Sequence, residues 1–467
     1  MKTSEIGQCS GCEQSHVRKC YASDSYDPAT GKVKRLKVVL ISLWLLVTAI
    51  SLNHLFPLVP FLSQMPTLCL GILGWATALL SVLYFGKGHW RSVALVAMAT
   101  FCLGFSIGTY LEPPADPFEH LRRVHEENCG KTAADIRRSN RGFWHYSMLT
   151  PILCMDTASV DSDKIFLRIH LANGLLWALA CSVIYICGIL LGLPRRWALF
   201  SVCVCFLFFG TNRFSYFRYY SLAPTFTSIM IYWLWGAVFF MRTSVRSMLK
   251  GVLTAMALVP VLWVNHHQEA VFLGFLLIIW VLTNLFFLRP YPRKQKNREQ
   301  LIPRLRMYRF FLFVALFIVL WILPQSESFR SWLSSFFVNS AALENYKNLW
   351  ITWHGWYIGP RFNGLRIADT LGNIGLLIGV LAIVYFWPGL TPASGQKKLK
   401  IYLLALLPFV GYFTPLFHFI WASNNKFSTY YRLCYASLFW FFFADLLYGL
   451  ENKVDDLATK VLSRLQS

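Results

Sequence analysis

Apolar residues in this chain come in runs of about twenty, each bounded by charges, proline or glycine. A helix needs about 20 mostly apolar residues to cross a bilayer core, and in lipid only helices and closed barrels satisfy the backbone polar groups. The pattern therefore predicts an all-α polytopic membrane protein with about twelve transmembrane helices. They fall at roughly 38–57, 66–85, 92–111, 166–192, 197–212, 219–241, 250–264, 270–288, 309–323, 371–388, 401–421 and 433–449. A polar tail over 1–36 precedes this transmembrane region, 37–450, and a second tail, 451–467, follows it. The first apolar run is already a full span, so the first helix is expected to be its own insertion signal, with no cleavable leader.

Composition agrees with that reading. Of 467 residues 56% are hydrophobic and only 14% charged, against roughly 25% charged in a soluble domain. This excludes a soluble enzyme and a disordered chain. Twelve cysteines are present, but Cys69, Cys102, Cys181, Cys187, Cys203 and Cys205 sit singly inside apolar segments, where a thiol behaves as a small hydrophobe. No disulfide framework is expected from them. The formal net charge is +22, from 44 Lys+Arg against 22 Asp+Glu. In a soluble protein that excess would suggest nucleic acid; here it sets orientation, and no nucleic-acid partner is implied.

With an even number of spans and a cytoplasmic N-terminus, the short loops on the inner side hold Lys87, Arg91, Arg195, Arg196, Arg242, Arg246, Lys250, the run Arg289 to Arg309, and Lys397, Lys398 and Lys400. That is 18 basic residues against one acid, Glu299, as the positive-inside rule requires. Both termini are then cytoplasmic. Two long segments, roughly 112–165 and 324–370, face the other way, and the first carries nine acids between Glu112 and Asp163. Within it Phe118 to Asn128 has Phe118, Leu121 and Val124 on one helical face and is expected to lie on the membrane surface. No internal repeat is found.

Four polar constellations could carry chemistry. In Glu112-Pro-Pro-Ala-Asp116-Pro-Phe-Glu119-His120 two prolines stop the third helix, leaving Asp116, Glu119 and His120 within helical reach of one another at the outer surface. Such groups can take a proton from a hydroxyl or hold a divalent cation beside a phosphate; equally, they suit a solvated, acid-capped loop helix. In Arg213-Phe-Ser-Tyr216-Phe-Arg218-Tyr219-Tyr220 the arginines can grip phosphate oxygens, or snorkel from an aromatic belt. Asn265-His266-His267-Gln268-Glu269 lies between the seventh and eighth spans, with His266 and Glu269 spaced i, i+3 as a metal or proton-relay pair, or as part of a short hydrated turn. Asn424 to Leu433 brings Tyr431 and Arg432 to the outer start of the last span. A fifth motif, Cys9-x2-Cys12-x3-His16-x3-Cys20, has zinc-like residue types in a spacing that matches no common knuckle.

Asp116-Pro-Phe-Glu-His120-Leu resembles the D-x-x-F-H-type segment that follows an early helix in GT-C superfamily glycosyltransferases, membrane enzymes that take sugars from polyprenyl-phosphate donors. Arg141-Gly-Phe-Trp-His-Tyr146-Ser-Met-Leu-Thr-Pro151 looks like the aromatic segment closing the same loop, and Arg168-Ile-His170-Leu-Ala-Asn173 like the start of the next helix. The acidic loop follows the third span here rather than the first, and Glu119 stands where an aromatic residue is common. The resemblance implies a base among Asp116, Glu119 and His120, and donor-phosphate contacts from Arg432 and Tyr431 with Arg213 or Arg218. It also implies a lipid-linked sugar donor, with or without a divalent cation, and a glycan, lipid or protein acceptor. A bacterial inner membrane is favoured over an endoplasmic reticulum membrane.

The second reading is an O-antigen-type ligase or polymerase using a polyprenyl-pyrophosphate-linked glycan. Such proteins share about twelve spans and a long late outer loop, here with His354 and Arg361 ahead of the Gly-rich helix entry Gly372 to Gly379. A transporter is the third; it would call for symmetric halves and charges within spans, and Asp445 is the clear acid within one.

Overall fold

The computed structural model describes residues 31–110, 129–138, 150–154, 162–212, 233–239, 245–287, 318, 323, 326–334 and 439–466. These residues are overwhelmingly helical, and the described part contains no β-strand. In chain order the helices are α1 (Gly31–Leu55), α2 (Pro60–Ser63), α3 (Thr67–Phe85), α4 (Trp90–Tyr110), α5 (Ala133–Arg138) and α6 (Thr150–Leu153), then α7 (Ser162–Leu190), α8 (Arg195–Asn212), α9 (Val245–Phe287), α10 (Glu327–Ser334) and α11 (Phe439–Gln466). Among the described residues four stretches are long and apolar enough to cross a membrane: Arg35–Leu55, Thr67–Phe85, His170–Leu190 and Arg246–Trp263; Trp90–Ser106 is a shorter apolar helix. The outward faces of α1, α3 and α4 carry exposed Val38, Leu45, Ile72, Leu79, Leu83, Leu95 and Met98. Such a surface is prohibitive in water and natural in lipid. The chain is a helical membrane protein.

Hydroxyl groups inside these helices are satisfied without water. Ser51, Thr77, Ser81, Thr100, Ser182 and Ser201 each donate to the carbonyl four residues earlier, at 2.6–3.0 Å, the bond a hydroxyl finds on its own helix where the solvent offers none.

Small residues set the packing. The most extensive helix pair is α4 against α7. There a Cβ on Gly104 would meet Trp177 Cβ at 3.2 Å and one on Gly174 would meet the Phe101 ring at 2.9 Å. Gly188 approaches Ala198 as closely, bringing α7 onto α8. Lipid tails are as apolar as Leu, so close backbone approach and dispersion hold such helices together.

One end of the bundle collects the tight basic turns. Gly192, at φ +86°, closes α7, the Leu193 N–H donates to the Gly188 carbonyl at 3.0 Å, and Pro194 then starts α8. The α3–α4 turn lies alongside, since the His89 and Tyr185 rings meet edge to face at 6.3 Å. Glu451 on α11 accepts from Arg196 Nη2 at 2.7 Å and from Trp197 Nε1 at 3.0 Å. Lys87, Arg91, Arg195 and Arg196 thus share this basic end. α11 continues as helix through Gln466, beyond its apolar part, because nothing in Glu451–Gln466 breaks a helix.

α9 is one uninterrupted helical run of 43 residues, where two spans with a turn between them are expected from the sequence. Its contacts show that it doubles back. Gly251 and Trp280 pack together, although a straight helix would hold residues that far apart by about 43 Å. Trp235 lies on both: its Nε1 donates to the Gly251 carbonyl at 3.1 Å and its ring meets Trp280 edge to face at 5.8 Å. Two antiparallel limbs in that register reverse near their midpoint, about residue 265, at the Asn265–Glu269 polar cluster. α9 thus covers both expected runs, near 250–264 and 270–288, and within it the stretch Arg246–Trp263 is long and apolar enough to cross a membrane.

Candidate functional site

At the end of the bundle opposite the basic turns, several polar elements converge. α1 leaves its last turn through Asn53, a buried residue whose Oδ1 accepts from the Val59 N–H at 2.6 Å while its Nδ2 donates to Ser63 Oγ at 2.8 Å. One side chain therefore shapes the connection from α1 through α2 to α3. At the start of α3 the Thr67 N–H and its hydroxyl both donate to the Lys131 carbonyl, at 3.1 and 3.2 Å, and Pro66 and Thr132 form an isolated antiparallel bridge. Residues 129–138, from the first long loop, are thereby docked on the entry to α3.

That docked stretch is internally braced. Thr132 and Asp135 form a capping box for α5: the Asp135 N–H donates to Thr132 Oγ1 at 3.3 Å, and Asp135 Oδ2 accepts from the Thr132 N–H and hydroxyl at 2.9 and 2.7 Å. These two Thr132 donors, ahead of the fields of Arg138 and Lys131, hold the Asp135 carboxyl below its ordinary range. Gly130, at φ +72°, makes the turn a residue with a Cβ would strain. Cys129 is disulfide-bonded to Cys154, with their Cα atoms 5.7 Å apart.

The disulfide corrects the expectation that the cysteines build no cross-link. That expectation weighted the thiols inside apolar runs. Of these Cys181 and Cys187 are indeed buried free thiols, and Cys69, Cys102 and Cys203 are free as well. Cys129 and Cys154 are the two cysteines of segment 112–165, and that polar setting is the signal that could have found the bond.

The chain reversal in α9 lies at this same end. α1 and the first limb of α9 run parallel: Thr48 Oγ1 is 3.4 Å from the Ala257 carbonyl, and Val47 and Ile50 share a small apolar cluster with Leu70 and Val261. Continuing one turn brings both helices to the end where α3 starts. The side chains of 264–269, those of His266 and Glu269 among them, are outside the described residues.

Asp116, Glu119, His120, Arg213, Arg218, His354, Arg361, Tyr431 and Arg432 lie outside the described residues, as do the surface helix expected at Phe118 to Asn128, the spans expected near 371–388 and 401–421 and most of those near 219–241 and 309–323. The flanks of the acidic segment are described. Tyr110 ends α4 and Cys129 opens the docked stretch, so both its boundaries belong to the disulfide end. Asp445, on α11, is buried within the bundle, 6% exposed. No group of three metal-ligating side chains gathers among the described residues. No family model matches the chain, and no curated protein or solved structure matches it.

Proposed function

We propose that this protein is a GT-C-type membrane glycosyltransferase that moves a sugar from a polyprenyl-phosphate donor to an acceptor hydroxyl at the extracytoplasmic face. The observation that supports the reading is that the acidic segment leaves α4 and is clamped at Cys129 at the end of the bundle that holds the disulfide, opposite the basic turns. Cationic turns mark the cytoplasmic side and disulfides persist in oxidising compartments, so two independent physical markers favour the same orientation. A bacterial periplasm and an endoplasmic reticulum lumen both meet the second condition.

In this reading Asp116, with Glu119 or His120 as its alternate, takes the proton of the acceptor hydroxyl as its oxygen attacks the anomeric carbon. The bond from that carbon to the phosphate oxygen breaks, and polyprenyl phosphate leaves with the electron pair. Arg432 and Tyr431, with Arg213 or Arg218, neutralise the leaving phosphate, so charge is stabilised where it develops in the transition state.

The test is native mass spectrometry of the protein after gentle extraction and incubation with candidate donors, paired with a transfer assay on Asp116→Asn. A bound polyprenyl monophosphate, bare or with one sugar, and a loss of turnover of about 100-fold or more in the variant are expected. A bound pyrophosphate-linked oligosaccharide would replace this reading with the ligase one, in which His354 and Arg361 become the residues to mutate. Bulk phospholipid alone would turn it toward a transporter. Unchanged turnover at equal expression would remove Asp116 as the base.

A further inference from the structure

Glu451 marks the point where α11 leaves the bundle. Up to it the helix is held: Phe441, Ala444 and Leu446 are buried in the core, and the Glu451 carboxylate accepts from Arg196 and Trp197 of α8 at the basic end. Beyond it the helix runs on through Gln466 without a proline or glycine. Every residue from Val454 to Leu465 is exposed, so this arm does not fold back on the bundle. A helix rises about 1.5 Å per residue, and Asn452–Gln466 therefore reaches roughly 22 Å past its anchor.

The arm is amphipathic. Val454, Leu457, Val461, Leu462 and Leu465 are 49–78% exposed, and the spacing of Val454, Leu457, Val461 and Leu465 by three and four places these four on one stripe, with Ala458 among them. Lys453, Lys460 and Arg464 line one flank of the stripe; Asp455 lies on the other, the flank of Glu451. A helix of this length is marginal in water unless its apolar face is packed, so the stripe calls for a partner. Charge decides which. A helix lying in a membrane surface carries a cationic polar face, whereas Lys453, Lys460 and Arg464 are offset here by Asp455 and Asp456. In two copies side by side and parallel, the basic flank of each meets the acidic flank of the other; an antiparallel pair would set like flank against like. Two copies inserted the same way in one bilayer are already parallel. Val454 and Val461, seven residues apart with Leu457 between them, are also the β-branched and Leu alternation that favours two parallel strands.

We propose that the arm of α11 beyond Glu451 is a dimerisation surface whose occupant is a second copy of this chain. The two arms pair in parallel on the side of the basic turns, and Val454, Leu457, Val461 and Leu465 of each pack against the same residues of the other, an isologous contact about a two-fold axis along the membrane normal. This surface is independent of the transferase reading, and its test reads oligomeric state rather than turnover.

The experiment uses the full-length protein, fluorescently labelled and dilute in lipid vesicles, with subunits counted by single-molecule photobleaching. Two subunits are expected for the parent, one for Leu457→Asp combined with Val461→Asp, and two for Thr459→Asp combined with Ser463→Asp, which lie on the opposite face. Leu457 and Val461 are exposed in the single chain, so melting temperatures in a dissociating detergent should match the parent's. Oxidative cross-linking in native membranes supplies the geometry: Val461→Cys should give a linked dimer above the parent's own background, and Ser463→Cys should not. A single subunit in the parent, two subunits retained in the Leu457 and Val461 double variant, or linking as strong at 463 as at 461 overturns the proposal. So does an environment-sensitive dye on Val461→Cys that reports lipid, which would make the arm a membrane-surface helix.

Discussion

Gly251 and Trp280 touch across the two limbs of a single helical run: a Cβ placed on Gly251 would lie 2.5 Å from Trp280 Cη2 and 2.8 Å from Cζ3. No flexible chain end is there to yield, because the Trp280 ring is fully buried and also packed on Trp235.

Gly251→Ala is therefore expected to destabilise the protein by about 1–3 kcal/mol through overpacking. Gly274→Ala, on the returning limb, is the control: a Cβ there meets nothing within 4 Å, so the substitution should be neutral or stabilising by up to about 1 kcal/mol. Melting temperatures of the two variants in one detergent make the comparison. Equal losses would mean that the limbs do not pack in this register.

The Cys129–Cys154 bond closes a loop of sequence separation 25, for which chain-entropy arguments give about 2–4 kcal/mol. Alkylation of the unreduced, denatured protein followed by peptide mass spectrometry should leave these two thiols unmodified, with the five free cysteines that the structure describes all labelled. Cys129→Ser should expose Cys154 to labelling and make residues 129–138 the first part of the described fold to gain hydrogen exchange. Labelling of Cys129 in the unreduced parent would refute the bond.

Asp135 provides a pH dependence with a definite sign. Its folded-state carboxyl titrates below the ordinary 3.8 because two Thr132 donors stabilise the ionised form. The bracing is then complete above about 3.8 and is lost as pH falls through the depressed folded value. Exchange protection of Thr132 to Arg138 should hold down to about pH 4 and fall below it, whereas Asp135→Ala should flatten that dependence. Protection that rises on acidification would contradict the hydrogen-bond assignment.

The helices themselves were legible in the sequence. The runs expected near 38–57, 66–85, 92–111, 166–192 and 197–212 correspond to α1, α3, α4, α7 and α8, and Thr132-Ala-Ala-Asp135 is readable as a capping box. The continuity of α9 was less so. Pro260 argues for a break, yet the helix runs across it, since an interior proline costs one hydrogen bond and a bend.

What the sequence alone determined is where helices form and which turns are cationic. Those follow from local necessity: a backbone in lipid must bond within its own segment, and Lys and Arg resist translocation. Only the tertiary structure decided that α4 seats on α7 through Gly104 and Gly174, that α1 runs parallel to the first limb of α9, and that Lys131 docks on Thr67. Apolar helices in lipid have no hydrophobic preference for one partner over another. Their pairing depends on shape at single small residues and on a few directed hydrogen bonds, which join positions far apart in the chain.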